Sequence, residues 1–96
     1  MKSIIQSEKE CYLCGATLYL EEHHIFMGRK HRSLAEEDGL KVWLCAKHHR
    51  LDKNSVHQNV QLREQLQKVG EMKYLESHTF DEWMQRYGKN YLEEWS

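Results

Sequence analysis

The sequence predicts an α+β fold in which a short two-stranded core precedes C-terminal helices. Two β-prone runs lie in the first half of the 96-residue chain, and a helical apolar pattern begins at Val60. The chain is 40% hydrophobic and 30% charged, so its apolar core is expected to be small. Three cysteines and seven histidines offer metal ligands that can staple such a core.

Length and composition exclude several classes of protein. No stretch approaches the roughly 20 apolar residues of a membrane span, so we expect no membrane partner. The N-terminal sequence MKSIIQSEKE lacks the apolar core of a signal peptide, so export is not expected. An odd number of cysteines without such a signal argues against a disulfide scaffold and predicts reduced thiols or metal ligands in the cytoplasm.

The first half of the chain contains the two predicted strands. A β-prone run covers Ala16 to Leu20, and the sequence EEHHIFM continues from it to a break at Gly28. The next stretch, GRKHRSLAEEDG, is predicted to be a polar loop with a helical turn at Ser33 to Glu37. A second β-like run covers Leu40 to Cys45, and a helix is expected to start at Ala46.

Helical spacing dominates the second half of the chain. Its apolar residues recur every three or four positions, at Leu62, Leu66, Val69 and Met72. Gly70 weakens this helix without forbidding it. The helix should stop near residues 77–79, where Thr79 and Glu82 form a capping box for a second helix. That second helix is predicted to run from Phe80 to Tyr87 and to end at Gly88.

Two pairs of metal-binding residues predict a zinc site. Cys11 and Cys14 form a Cys-x2-Cys pair, and Cys45 and His48 form a Cys-x2-His pair. A spacing of two residues lets one tight turn aim both side chains at one ion, so two such turns complete a tetrahedron. A structural Zn²⁺ bound by Cys11, Cys14, Cys45 and His48 would supply the staple that the composition calls for.

Four further histidines are candidates for a second site, namely His23, His24, His49 and His57. Adjacent residues on a strand point to opposite faces, so His23 and His24 can face one site only near a strand end or a bend. His57 follows His49 by eight residues, through either two helical turns or a loop. The remaining two, His31 and His78, are expected to be solvated or satisfied within the core.

These residues carry a resemblance to a known enzyme family. The order CxxC, HHIFMGR, VWLCAKHH and VHQN in residues 11 to about 59 resembles the HNH endonucleases that contain a zinc ribbon, in particular the small phage and prophage type. The C-terminal segment HTFDEWMQRYGKNYL is similar to the tail of those proteins, less specifically. The resemblance implies a ββα-metal (His-Me finger) core, in which two strands and a helix surround one divalent ion.

The resemblance also implies a role for each histidine. His24 matches the general base that activates water, and histidine's ordinary pKa of about 6.5 suits that task. His23, His49 and His57 match the ligands of a catalytic divalent cation, Mg²⁺, Mn²⁺ or Ni²⁺. The middle Asn of the family, which orients the base, has no counterpart in the sequence EEDGLKVW. Its role would fall to a backbone carbonyl or go unfilled.

The distribution of charge indicates where DNA would bind. The net charge is -1, but residues 29–53 contain seven basic and four acidic residues, whereas residues from 60 onward contain five basic and seven acidic residues. Basic side chains that flank the histidines are predicted to contact the DNA backbone without reading bases. These residues are Arg29, Lys30, Arg32, Lys47, Arg50 and Lys53.

The resulting interpretation divides the chain into a flexible segment at residues 1–10, a zinc-binding HNH nuclease core at 11–59 and a helical extension at 60–96 that packs on the core. We expect a metal-dependent HNH endonuclease, a nickase or a double-strand nuclease, that hydrolyses DNA. The alternative is a non-catalytic zinc-ribbon module that binds nucleic acid or a protein. The resemblance implies a bacterial or phage-infected cell, with phage packaging or recombination proteins as further partners.

Overall fold

The fold is α+β and contains one antiparallel pair of strands, described here for residues 2–92 of a computed structural model. Strand β1 covers Leu20–His24 and strand β2 covers Lys41–Cys45. Helix α1, Arg29–Asp38, connects them, and a π-helical turn, Lys47–Leu51, follows β2. Helices α2, Val60–Tyr74, and α3, Phe80–Tyr87, complete the order of elements. Every helix within the described residues is too short or too polar to span a lipid bilayer.

The first strand begins later than its sequence pattern predicts. In the β-prone run from Ala16 to Leu20, residues 16–17 have no regular structure, residues 18–19 form a bend, and only Leu20 belongs to β1. Tyr19 has a positive φ of 56°, which interrupts an extended chain. Pairing with β2 decides where the strand starts, since Leu20 lies opposite Cys45 and His24 lies opposite Lys41. The prediction for β2 is confirmed to within one residue.

The polar loop predicted for the stretch GRKHRSLAEEDG is wrong, because helix α1 contains the predicted helical turn at Ser33 to Glu37 and extends beyond it at both ends. The sequence RKHRSLAEED forms a ten-residue helix of which Ala35 is the single buried residue. A helix with one small buried side chain leaves almost no apolar periodicity to detect. It ends at Gly39, whose positive φ of 73° suits glycine, and a Cβ there would lie 2.5 Å from the Lys2 carbonyl oxygen.

The helix expected at Ala46 is only a short π-helical turn, and a turn-rich loop follows it. Two backbone hydrogen bonds fold this loop back. The N–H of Val56 donates to the carbonyl of His48 at 2.8 Å, and the N–H of His57 donates to the carbonyl of His49 at 3.2 Å. The loop therefore brings His57 beside His49, and the continuous two-turn helix does not form.

Helix α3 has its predicted boundaries, whereas α2 ends at Tyr74, before the predicted stop near residues 77–79. The Thr79 hydroxyl accepts from the N–H of Glu82 while the Glu82 carboxylate accepts from the N–H of Thr79, which is the expected capping box. Helix α3 ends at Gly88 with a positive φ of 72°. Trp83 and Tyr87 are buried, with ring centroids 5.2 Å and 4.9 Å from that of Phe26. Residues 93–96 of the predicted extension lie outside the described residues.

Residues 2–10 run along strand β2. The N–H of Ile4 donates to the Gly39 carbonyl at 2.9 Å, and the Ser3 hydroxyl donates to the Lys41 carbonyl at 2.5 Å. The Gln6 side-chain oxygen accepts from the N–H of Trp43 at 2.8 Å. These contacts satisfy backbone groups on the open edge of β2. The flexibility expected of this segment stays a prediction.

Candidate metal centres and active site

Three cysteines and one histidine meet where β2 ends. They are Cys11, Cys14, Cys45 and His48, and their ligand atoms all lie within 4.8 Å of one another. Cys14 Sγ is 3.8 Å from Cys45 Sγ, and Cys45 Sγ is 3.3 Å from His48 Nδ1. The cysteines are free thiols, so no disulfide competes for them. The structure therefore assembles the four residues that the two pairs predicted.

The geometry and chemistry of this cluster suit a metal ion. Metal–sulfur bonds of about 2.3 Å in a tetrahedron give sulfur–sulfur edges of about 3.8 Å. Burial raises the pKa of the Cys11 thiol, but backbone N–H groups of Cys45, Leu13 and Cys14 donate to its sulfur and bring the pKa down to about 6. A thiolate is the form that binds metal. The cluster can therefore hold an ion such as zinc.

A second cluster consists of His23 on β1, His49 in the π-helical turn and His57 in the following loop. Their candidate ligand atoms also lie within 4.8 Å of one another. The ring centroid of His23 is 5.2 Å from that of His49 and 5.3 Å from that of His57. His49 Nε2 lies 3.0 Å from His57 Nε2. The three histidines predicted to share a divalent cation are thus close enough to do so.

The surroundings of His23 indicate whether a cation fits this cluster. The Nε2 atom of His23 is buried and has no hydrogen-bond partner among residues 2–92. Burial, with smaller contributions from the other two imidazoles, lowers the pKa of His23 to about 3, so the ring is neutral. A buried polar atom without a partner is costly, and a bound cation would satisfy it. Neutral imidazoles are ligands for transition-metal ions.

A carboxylate behind the second cluster orients one of its ligands. Glu21 Oε1 accepts a hydrogen bond from His49 Nδ1 at 2.8 Å. Hydrogen bonds from Arg50 first, and from His49 second, lower the pKa of Glu21 to about 2, so the carboxylate is ionised and acts as an acceptor. The proton of His49 is therefore on Nδ1, and Nε2 keeps its lone pair facing His57. Carboxylate–histidine pairs of this kind commonly support metal-binding histidines.

His24 occupies the last position of β1. Because the strand ends there, the adjacent residues His23 and His24 can both reach the same cavity. Strand alternation turns His24 away from the second cluster and toward α1, where His24 Nε2 lies 2.7 Å from Glu36 Oε1. Beyond His24 the strand ends, and His23 and His24 line one open cavity of about 290 Å³. His49 and His57 line the same cavity.

The six predicted DNA contacts have different surroundings. Arg32 lines the cavity, together with Met27 and Gly28. Arg50 is exposed but its guanidinium forms a two-pronged ion pair with Glu21, so its charge is already balanced. The other four side chains are exposed outside the cavity lining, and they are Arg29, Lys30, Lys47 and Lys53. Arg32 is therefore the predicted contact that lines the same cavity as the histidines.

We compared the chain with protein-family models, curated proteins and solved structures. None of them matches. The assignment of a function therefore rests on the residues and geometry of the chain itself.

Several side chains of the site were not identified from the sequence. Glu21 and Glu36 contact histidines that lie 28 and 12 residues away, and Lys41 joins the second of these contacts. Arg63 of α2 donates to the Val56 carbonyl at 3.4 Å. Burial is the main cause that lowers the pKa of His23 and of His57, and the charge of Arg63 adds a smaller contribution in the same direction. Charged residues are common on surfaces, so no local pattern distinguishes these four residues.

Proposed function

We propose that the chain is a metal-dependent endonuclease of the HNH type that hydrolyses DNA phosphodiester bonds. The observation that carries the proposal is the meeting of His23, His49 and His57 beside His24 in one open cavity. The buried Nε2 of His23, which lacks a hydrogen-bond partner within the described part of the chain, supports a cation at this position. A module that only binds zinc needs none of these four histidines, because its site is complete with His48.

The Cys11, Cys14, Cys45 and His48 cluster is proposed to hold a structural zinc ion. Its members join the turn after residue 10 to the end of β2 and the π-helical turn. That π-helical turn also carries His49, the residue after the zinc ligand His48. The zinc ion would therefore fix the position of the segment that carries His49 into the second cluster.

Each side chain of the cavity has a separate role in the proposed reaction. His24 accepts the proton of the attacking water, because a neutral imidazole is a base near neutral pH. His23, His49 and His57 hold a divalent cation, which would stabilise the negative charge that develops on the phosphate and the leaving oxygen. Among Mg²⁺, Mn²⁺ and Ni²⁺, an all-imidazole set favours the transition-metal ions. Arg32, which lines the same cavity, would neutralise a neighbouring phosphate.

Nicking of supercoiled plasmid tests this function. The wild-type protein is assayed with Mg²⁺, Mn²⁺ or Ni²⁺, and each reaction is repeated with EDTA. We expect nicking with at least one ion and none with EDTA. His24→Ala should lower the rate about 100-fold or more, because it removes the general base, while zinc content and circular dichroism stay unchanged.

His78→Ala is the matched control, since this histidine stacks on Tyr74 and does not line the cavity. It should cut like the wild type. Absence of nicking with all three ions would contradict the enzyme and favour a zinc module that binds nucleic acid or protein. Equal nicking by His24→Ala and wild type would remove His24 as the base.

A further inference from the structure

The side chain of His24 makes its shortest polar contact with a residue of helix α1. His24 Nε2 lies 2.7 Å from Glu36 Oε1, and His24 is largely buried. Glu36 follows Ala35, the single buried residue of that helix, and its side chain is 41% exposed. The helix therefore presents this carboxylate to the end of β1.

Lys41 holds the same carboxylate from the other side. It lies directly opposite His24 in the β1–β2 pair, and its Nζ is 3.0 Å from each carboxylate oxygen of Glu36. The ammonium is also 3.2 Å from Glu22 Oε2. Hydrogen bonds from His24 first, and from Lys41 as well, lower the pKa of Glu36 to about 2. The carboxylate is therefore ionised and can only accept hydrogen bonds.

Glu22, His24 and Glu36 form a group with the residue types of a metal site. The position between the two carboxylates is, however, taken by the Lys41 ammonium, which makes ion pairs with both. A second cation at this position would be repelled by the buried ammonium. The group is therefore an ion-paired support for His24 rather than a third metal centre.

An ionised acceptor at Nε2 decides which nitrogen of His24 carries the proton. In neutral His24 the hydrogen stays on Nε2, where it donates to Glu36, and Nδ1 keeps its lone pair. We propose that Glu36, fixed by Lys41, is a positioning residue that selects this tautomer of His24 and leaves Nδ1 to take the proton from water. This role rests on the proposed nuclease function, in which His24 is the base, and it supplies the orienting group for which the sequence offered no Asn.

The tautomer can be measured without cleavage. We would record the ¹⁵N chemical shifts of the His24 ring by NMR in zinc-loaded protein at pH 8, without added divalent ion or DNA. Wild-type protein should show a protonated Nε2 and an unprotonated Nδ1. In Glu36→Ala the two shifts should move toward each other, because the preference for the Nε2–H tautomer is weaker without this acceptor, and Glu36→Gln, which keeps an acceptor oxygen, should lie between. Identical shifts in wild type and Glu36→Ala would overturn the positioning role.

Cleavage kinetics supply the second measurement. Glu36→Ala should lower kcat roughly 10- to 100-fold with KM for DNA and zinc content unchanged, as for other residues that orient a functional histidine. Glu36→Gln should recover part of the loss. Glu37→Gln is the control, because this neighbouring carboxylate of α1 pairs with Arg86 and not with His24. It should have wild-type shifts and kcat.

The outcomes separate the two proposals. If the wild type does not cut DNA but the His24 shifts respond to Glu36→Ala, the nuclease function fails and the Glu36–His24 pair stands. If the wild type cuts and Glu36→Ala has an unchanged kcat, the function stands and the positioning role is wrong. A fall in kcat that Glu37→Gln reproduces would also contradict it, because the effect would then belong to any carboxylate of α1.

Discussion

Replacement of Glu21 by glutamine should weaken divalent-ion binding by His23, His49 and His57. The Glu21 carboxylate accepts from His49 Nδ1 at 2.8 Å, which keeps the proton off Nε2 and increases the electron density of the ring. The amide introduced by Glu21→Gln could still accept a hydrogen bond but carries no charge. The imidazole would then be a weaker ligand, and its preferred tautomer would be less strongly selected.

The size of the effect follows from the contacts of the carboxylate. Loss of the residue behind a metal-binding histidine typically lowers metal affinity 10- to 100-fold. Arg50 already engages both oxygens of Glu21, with nitrogen–oxygen distances of 2.9 to 3.3 Å, so part of the negative charge is balanced. We therefore expect Glu21→Gln to raise the Kd for Ni²⁺ or Mn²⁺ about tenfold, at the lower end of that range.

The same geometry predicts an opposite effect for Arg50→Met. This substitution removes a positive charge and leaves the carboxylate to His49 alone, so the Kd should fall about two- to fivefold. Titration calorimetry of zinc-loaded protein without DNA measures both values. Glu76→Gln changes the net charge as Glu21→Gln does, but Glu76 pairs with Lys73 on the surface, so it serves as the control. Equal Kd values for Glu21→Gln and Glu76→Gln would refute this reasoning.

Three further predictions concern stability. Gly70→Ala should lower the free energy of unfolding, measured in urea, by about 1 kcal/mol, because the new Cβ would lie 3.0 Å from the buried Phe26 ring. Overpacking costs about 1–3 kcal/mol, which outweighs a helix-propensity gain of about 1 kcal/mol. A more stable variant would contradict the close contact between residue 70 and Phe26. Cys14→Ser should lower zinc content and make the thermal transition insensitive to EDTA, whereas EDTA lowers that of the wild type. His23 has a folded-state pKa of about 3, so below pH 6.5 the unfolded chain binds a proton that the folded chain does not. Without a divalent ion at His23, stability should therefore fall by about 1 kcal/mol between pH 7 and 5.5, and His23→Asn should show a smaller fall; an equally steep fall would show that other groups cause it.

Local signals in the sequence explain which elements were predicted correctly. The capping box of Thr79 and Glu82 is complete within four residues, and Gly88 supplies the left-handed end of α3. Both signals act through backbone groups of their own helix and need no tertiary partner. Helix α1 lacks such signals, since Gly28 offers no capping side chain and Ala35 alone is buried. Its place in the fold is decided by packing against the sheet.

The sequence predicted the candidate metal ligands of the site but not the side chains that contact those ligands. Spacing placed Cys11 with Cys14 and Cys45 with His48, because each pair lies within one turn of chain. The convergence of His23 and His49 was an expectation from resemblance, since strand pairing and the fold of a loop bring them together. Glu21 and Glu36 acquire their roles only through contacts between separate elements, so their own sequence neighbourhoods hold no sign of them.

The number of metal ions on each chain separates the proposed nuclease from a zinc-binding module, because only the nuclease needs a second metal site. Native mass spectrometry of the purified protein, with added Ni²⁺ or Mn²⁺, counts the ions on each chain. We predict one zinc ion that survives dialysis and one weaker divalent ion that is lost in His57→Ala, while the zinc ion remains. A single ion per chain in both proteins, at every concentration of added metal, would contradict the account.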